Sequence, residues 1–495
     1  MPRAKKRGKT EKRLPNRADP PIMKQAKPES QLMEGIQLIM FRRVRPEPDG
    51  TFSNRMLLAL ILPLIAEQFL AVLVGMADTA MVSGVGDSAV AAISTVDTIS
   101  NLLINLFSAM SAGGAVVAAQ YLGRKDQKNA CQAARQLMTS TAALALLITL
   151  IALIFHKQVI GIMDNGSDPD TLQKSYTYLL ITACSYPMLG LYNGGVGLMR
   201  AMGNSKASMY TSIAMNLINI GGNALLIGPC GLGVAGAAIS TLASRTVSAV
   251  VVLRMLRNPG LPIHLDSVFR SKQGYLPDGP MIRRILRIGA PNGLENSLFN
   301  LGKVFIMGII TTFPTAIRAA NGICNSISGV VNIPGSAVGL ASITVIGQLI
   351  GAGKKEEAKR YGRKLMGIMY LVLFPTNFIM LFAAEPVIRL FNLSADGIPV
   401  AVQIMRVYCF LSIFTWVPSF GTPNILRAAG DARFTMTVSI ISMLTLRLAA
   451  SYLLVYGLGL SLLGVWLAMH MDWVARGICF LWRFHRGKWL NKKVI

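Results

Sequence analysis

Acidic residues are scarce in this chain: 23 Asp plus Glu stand against 49 Lys plus Arg among 495 residues, for a net charge of +26. Charge of either sign is thin, at 15% of residues against 52% apolar, which excludes a water-soluble multidomain protein of this length. Metal and redox frameworks are missing too. Cys131, Cys184, Cys230, Cys324, Cys409 and Cys479 lie far apart with no CxxC pair, and the four histidines form no HExxH, so neither a disulfide scaffold nor a zinc site has support. The segment from Gly347 to Lys355 has the look of a phosphate loop, but its glycine spacing is wrong and Lys355 stands where Ser or Thr is required. With no nucleotide site and no cluster of catalytic residues, an enzyme is not expected, no cofactor is expected, and any work must draw on a gradient. Residues 1 to 30 lack the short apolar core and cleavage site of a signal peptide, which would leave the tail in the cytoplasm.

What is abundant is long apolar sequence. Crossing a bilayer takes about 20 apolar residues per helix, and twelve such runs are marked: 56–81, 94–121, 136–155, 175–199, 206–228, 233–254, 284–312, 317–351, 362–384, 400–426, 434–457 and 462–482. The positive excess is divided between a basic, proline-broken stretch over the first 55 residues and short clusters in alternate loops: Arg124, Lys125 and Lys128; Arg200 and Lys206; Arg254, Arg257, Lys272, Arg283 and Arg284; Lys354, Lys355, Lys359 and Arg360; Arg427 and Arg433. Alternate loops rich in Lys and Arg are the mark of cytoplasmic loops, not of a nucleic-acid surface, so the partner is the lipid bilayer and both termini are expected in the cytoplasm.

The two halves repeat. Pro63-x3-Glu67 recurs as Pro291-x3-Glu295 and Gln120 recurs as Gln348, each 228 residues on. Arg200-Ala201-Met202-Gly203 recurs as Arg427-Ala428-Ala429-Gly430 at 227, and Gly236 meets Gly464 at 228. Six spans per half is an even number, so the second half enters from the same side as the first, giving parallel repeats about an axis normal to the membrane. The expected fold is an all-α integral membrane protein with twelve transmembrane helices in two six-helix pseudo-symmetric lobes. Its divisions are a tail at 1–55, an N-lobe at 56–258, a linker at 259–282, a C-lobe at 283–484 and a tail at 485–495.

The opening helix, from Leu62-Pro63-Leu64 to Gly75-Met76-Ala77-Asp78-Thr79-Ala80-Met81, resembles that of multidrug and toxic compound extrusion (MATE) transporters. So do Gly203-Asn204-Ser205-Lys206 leading to Asn216-Leu217-Ile218-Asn219, and Arg427-Ala428-Ala429-Gly430-Asp431. The resemblance spans about residues 55 to 485 and is greatest to the DinF-like branch. It implies a plasma (inner) membrane exporter of organic, cationic or amphipathic compounds, acting as a monomer by antiport with Na+ or H+. A flippase for lipid-linked substrates shares the architecture and is the alternative; it would favour basic residues along the central cavity. The branch places a cation-binding pocket at positions matching Asp78, Asn219, Asn223 and Thr241, with Asn223 standing where archaeal members carry Asp. Trp416 stands where the NorM-like branch carries an Asp, which argues against a C-lobe cation site of that kind. No metal beyond Na+ is implied.

Independently of resemblance, these four residues fall at similar depth. Asn219 and Asn223 share one helix face, and a lone carboxylate such as Asp78 in lipid is costly and usually functional; interhelical polar contacts are the structural alternative for the Asn pair and Thr241. Glu67 and Glu295 are candidates for proton or substrate handling if they are buried without a counter-charge, or for structural hydrogen bonds at the lobe base. Arg447 and Asp472 reach mid-membrane from opposite directions and are expected to pair; Arg245 and Lys303 are further intramembrane cations with no assignable partner. Pro63 and Pro291 are expected to bend their helices. Leu32 to Phe41, flanked by Arg42, Arg43 and Arg45, are apolar enough to rest on the membrane surface, with plain disorder the equal alternative.

Overall fold

Every one of the twelve apolar runs is helical in the computed structural model, which describes residues 52–163, 168–266, 272–492 and 494–495. The tail before residue 52, with its Leu32–Phe41 segment, lies outside the described residues. The spans are α1 (Asn54–Ser83), α2 (Asp87–Gly123), α3 (Gln127–Ile154), α4 (Pro169–Ala183 and Tyr186–Ala201), α5 (Ser205–Ile227) and α6 (Gly233–Leu256). The second half repeats them as α7 (Gly279–Ile310), α8 (Thr315–Val331 and Ile333–Gly351), α9 (Lys355–Arg389), α10 (Gly397–Ala428), α11 (Ala432–Gly457) and α12 (Ser461–His485). No strand occurs among the described residues. Several helices overrun their apolar run by a turn or two, as α9 does from Lys355, because the backbone bonds continue into the charged interfacial layer.

Eight of the twelve are long and apolar enough to cross a membrane by composition alone. The other four, α4, α5, α7 and α12, hold much of the polar interior. α4 breaks at Cys184 and Ser185, and α8 breaks at Asn332; in both, a proline (Pro187, Pro334) opens the next segment, where its missing N–H costs nothing. Pro63 and Pro291 lie inside α1 and α7, which run through them. α11 carries two π-helical stretches, Met443–Leu448 and Leu453–Gly457. The repeat offset rises from 227 to 228 between Met209/Met436 and Gly236/Gly464, and a π turn takes up one extra residue without ending the helix.

The repeated Arg-Ala-x-Gly segments end α4 and α10 in matching turns. Gly203 (φ 81°) and Gly430 (φ 97°) take left-handed conformations that a side chain would strain. The amides after them close back on the helix, Asn204 N to Met199 O at 2.9 Å and Asp431 N to Leu426 O at 2.9 Å. Asn204 then caps α5 by accepting from Ala207 N at 3.1 Å.

The lobes are joined at this same end, the base. α1 packs on α8 and α2 on α7, each crossing into the other half. α2 and α8 cross so closely that a methyl on Gly123 would overlap the Gln348 carbonyl, and one on Gly351 the Gln120 carbonyl. Beside that crossing the amides are exchanged: Gln120 Nε2 donates to Ala428 O at 3.2 Å and Gln348 Nε2 to Ala201 O at 2.9 Å. The linker is tied to α3 through Arg135–Asp266 at 2.6 Å and Gln136 Nε2 to Leu276 O at 2.7 Å.

Candidate functional site

In the N-lobe, α1, α2, α4, α5 and α6 enclose a cavity of about 420 Å³ lined by Asp78, Asp97, Tyr178, Asn219, Asn223, Thr241 and Arg245, with smaller polar side chains between them. Asn219 and Asn223 are buried one turn apart on α5. Ser240 on α6 donates to the Asn219 carbonyl at 2.7 Å, and Gly222 leaves room for that approach. Asn223 Nδ2 donates to Asp78 Oδ1 at 2.9 Å. Asn219 Nδ2 reaches Thr241 Oγ1 at 3.3 Å, and with its amide turned it donates instead to both Asp78 oxygens at 2.9 Å. The four positions singled out in the sequence thus form one cluster around a half-buried carboxylate. The Asn223 Oδ1 is buried with no donor, so the cluster has an oxygen left over for a hard cation.

Two charged members of this cavity lay outside the expected cluster: Asp97, which was missed, and Arg245, which was expected only as an intramembrane cation without an assignable partner. Asp97 stands ten residues inside α2, but its apolar run begins at 94, so in sequence it looked like an end residue. The Tyr178 hydroxyl reaches its Oδ1 at 3.5 Å. Arg245 on α6 donates to Ser185 Oγ at 2.8 Å, a hydroxyl presented by the break in α4, and lies within the field of Asp97. A carboxylate at membrane depth was the available signal for Asp97, as it was for Asp78.

Glu67 and Glu295 are buried, but not without counter-charges. Arg200 Nη2 meets Glu67 Oε1 at 2.5 Å while Ser208 donates to Oε2 at 2.7 Å. In the repeat, Arg427 Nη2 meets Glu295 Oε1 at 2.6 Å, and Arg427 Nε donates to Thr435 at 3.3 Å. The guanidiniums come from the Arg-Ala-x-Gly turns, so the repeated Glu and the repeated Arg are two ends of one repeated ion pair. The premise of an uncompensated carboxylate does not hold, because the sequence separates by about 130 positions what the fold joins.

The expected Arg447–Asp472 pair is corrected as well. Asp472 is taken by Arg476, one turn along α12, with Nε to Oδ1 at 3.3 Å, and it accepts from Ser442. The π-helical stretch carries Arg447 against the Phe299 ring instead, 5.2 Å from its centroid. Trp416 is buried and stacked on Phe420 at 5.4 Å, part of an aromatic core where the N-lobe has its cavity.

The MatE family model matches this chain twice, over residues 63–225 and 291–453. The chain belongs to the MATE family. Both ends of the two matches are separated by the 228 residues of the internal repeat. Members of this family are ion-coupled membrane transporters for multidrug efflux of small organic compounds, not enzymes. The Bacillus subtilis transporter YisQ is 28% identical over 90% of this chain and 96% of its own length. A probable multidrug resistance protein NorM of Thermotoga maritima is 25% identical over 92% of this chain and 97% of its own. A solved structure of a multidrug resistance MATE family transporter in an outward-facing conformation superposes with a TM-score of 0.82 at 20% identity, over 91% of this chain and 98% of that one. These matches give this MATE protein its fold of twelve spans in two six-helix lobes.

Proposed function

We propose that this protein exports organic, cationic or amphipathic compounds across the plasma membrane, as a monomer, by antiport with Na+ or H+, the two lobes tilting to give alternating access. The divisions are those of the repeat: N-lobe 56–258, linker 259–282, C-lobe 283–484, and cytoplasmic tails at 1–55 and 485–495. With the base on the cytoplasmic side, the exchanged glutamines and the α2–α8 crossing close that side, and the conformation is outward-facing. The observation that carries the proposal is the N-lobe cluster, in which Asp78 accepts from Asn223, and from Asn219 with its amide turned, in the lining of a cavity large enough for a small organic group.

Na+ or H+ enters this cavity as the coupling ion. Asp78 provides the charge, and Asn219, Asn223 and Thr241 provide neutral oxygens of the kind a hard cation takes; a proton would need the carboxylate alone. Occupancy would change which groups share the Asp78 oxygens, and bending of α1 at Pro63 would change the cavity, with Pro291 the matching hinge of α7. Each inward charge moving down about 100 mV releases roughly 2.3 kcal/mol. Flipping of lipid-linked substrates has the C-lobe cations Lys303, Arg447 and Arg476 in its favour, and the acidic N-lobe cavity against it.

Efflux of a panel of cationic compounds from inverted vesicles, with Na+ and pH gradients imposed one at a time, tests the proposal. Wild type should respond to one gradient, and Asp78→Asn should lose that response. An ion dependence left unchanged in Asp78→Asn would remove the residue from coupling.

A further inference from the structure

We infer that the C-lobe holds a site for an oxyanion, a carboxylate or phosphate carried on an apolar or aromatic body, formed by Lys303, Arg447 and Arg476 around Phe299. All three cations lie against one ring: Lys303 Nζ is 5.2 Å from its centroid, Arg447 Cζ 5.2 Å and Arg476 Cζ 5.8 Å. Arg476 is also 5.0 Å from the Phe420 ring.

The charges do not balance. Among the described residues, Asp472 is the one carboxylate in an ion pair with any of the three cations; its Oδ1 is engaged by Arg476 and the Ser442 hydroxyl, and its Oδ2 has no hydrogen-bond partner. Glu295, the next acid, is held by Arg427. Arg447 is only 8% exposed, and its Nε and Nη1 have no hydrogen-bond acceptor; Arg476 is 3% exposed with Nη2 in the same condition. A ring quadrupole attracts cations but supplies no acceptor for their N–H groups. Buried guanidinium donors ordinarily find an acceptor, and planar guanidinium groups match carboxylate and phosphate oxygens. Lys303 is exposed, three positions from the buried Ile306 and four from Phe299, so the cluster has a cation at an accessible edge. Phe299 and Phe420 offer apolar surface for the body that carries the anion.

The inference names a ligand group for the proposed exporter, but its test needs no gradient and so stands apart from Asp78. Full-length protein in phosphatidylcholine nanodiscs would be titrated with benzoate and with inorganic phosphate by calorimetry. One-to-one binding of either anion is expected, weakened at least tenfold in Lys303→Gln and Arg447→Gln and changed less than twofold in Asp78→Asn. Because Lys303 is exposed, its variant carries the test even if Arg447→Gln does not fold. Should the soluble anions fail to bind, nanodiscs containing phosphatidylglycerol would be examined by native mass spectrometry. That lipid retained by wild type and lost from Lys303→Gln would make the oxyanion a lipid headgroup. Neither anion nor lipid held, or binding indifferent to Lys303→Gln, would overturn the site.

Discussion

The two lobes are built from the same repeat, yet their interiors have opposite character. At the base they agree: in each lobe a glutamate on the first helix pairs with an arginine from the last turn of the fourth, which also donates to a hydroxyl on the fifth, and in the N-lobe that hydroxyl bonds the glutamate as well. Toward the other end they part. With the 228-residue offset, Asp78 faces Ile306, Asp97 faces Asn325, Thr241 faces Met469 and Arg245 faces Trp473. The N-lobe thereby keeps a polar cavity with two carboxylates, while the C-lobe is filled by Tyr408, Trp416, Phe420, Trp466 and Trp473 and is left with an excess of positive charge. The base is under a shared demand, since the helices of the two lobes pack against each other there. The interiors carry no such demand and are free to differ.

The largest effects should come where the lobes agree. Glu67→Gln and Glu295→Gln each strand a mostly buried arginine, and removing one partner of a buried pair costs about 3–5 kcal/mol. Thermal unfolding should fall comparably in the two variants, and a loss in one lobe alone would break the symmetry of the base. Gly123→Val and Gly351→Val come next. Each forces a side chain into the opposite helix's backbone, with overpacking worth about 1–3 kcal/mol, or roughly 5- to 150-fold in the population of the packed base. Accessibility of the base to a membrane-impermeant thiol or amine reagent should rise in both, whereas Gly367→Ala, whose surroundings are open, should be silent.

Smaller effects sharpen the difference between the fifth and eleventh helices. Asn204 caps α5, but Asp431 makes no cap bond and instead pairs with Arg483 at 2.7 Å and Lys492 at 3.4 Å. Asn204→Ala should cost about 1 kcal/mol, as lost N-caps do, and this loss should persist at 0.5 M salt, unlike the Lys492 contribution to Asp431. The smallest effect is at Asp126, which caps α3. Hydrogen bonds from the Asn129 side chain and backbone hold its carboxyl below the usual range. A depressed acid stabilises above its unfolded pKa and loses that contribution as pH falls through its folded value. The difference in unfolding temperature between wild type and Asp126→Ala should therefore be present at neutral pH and shrink in acid.

Much of the architecture was legible because the bilayer imposes it. Apolar length sets the spans, Lys and Arg set the loops, and the recurrence of Pro63/Pro291, Glu67/Glu295 and Arg200/Arg427 exposed the repeat. Asp78, Asn219, Asn223 and Thr241 could be grouped because depth along a helix can be counted from its ends. Asp97 was not, since helix α2 begins seven residues before its apolar run and shifts that count. Arg447 and Asp472 were expected to pair from a count along their helices, but such a count does not give azimuth, and a π-helical stretch rotates everything beyond it.

What the sequence determined alone was the number of spans and their repeat, because these follow from one-dimensional spacing in a slab of fixed thickness. Which charges meet was decided only by the tertiary structure. Glu67 finds Arg200 and Glu295 finds Arg427 because helix rotation and crossing, set by packing at contacts such as Gly123 on Gln348, choose among partners that spacing leaves equal.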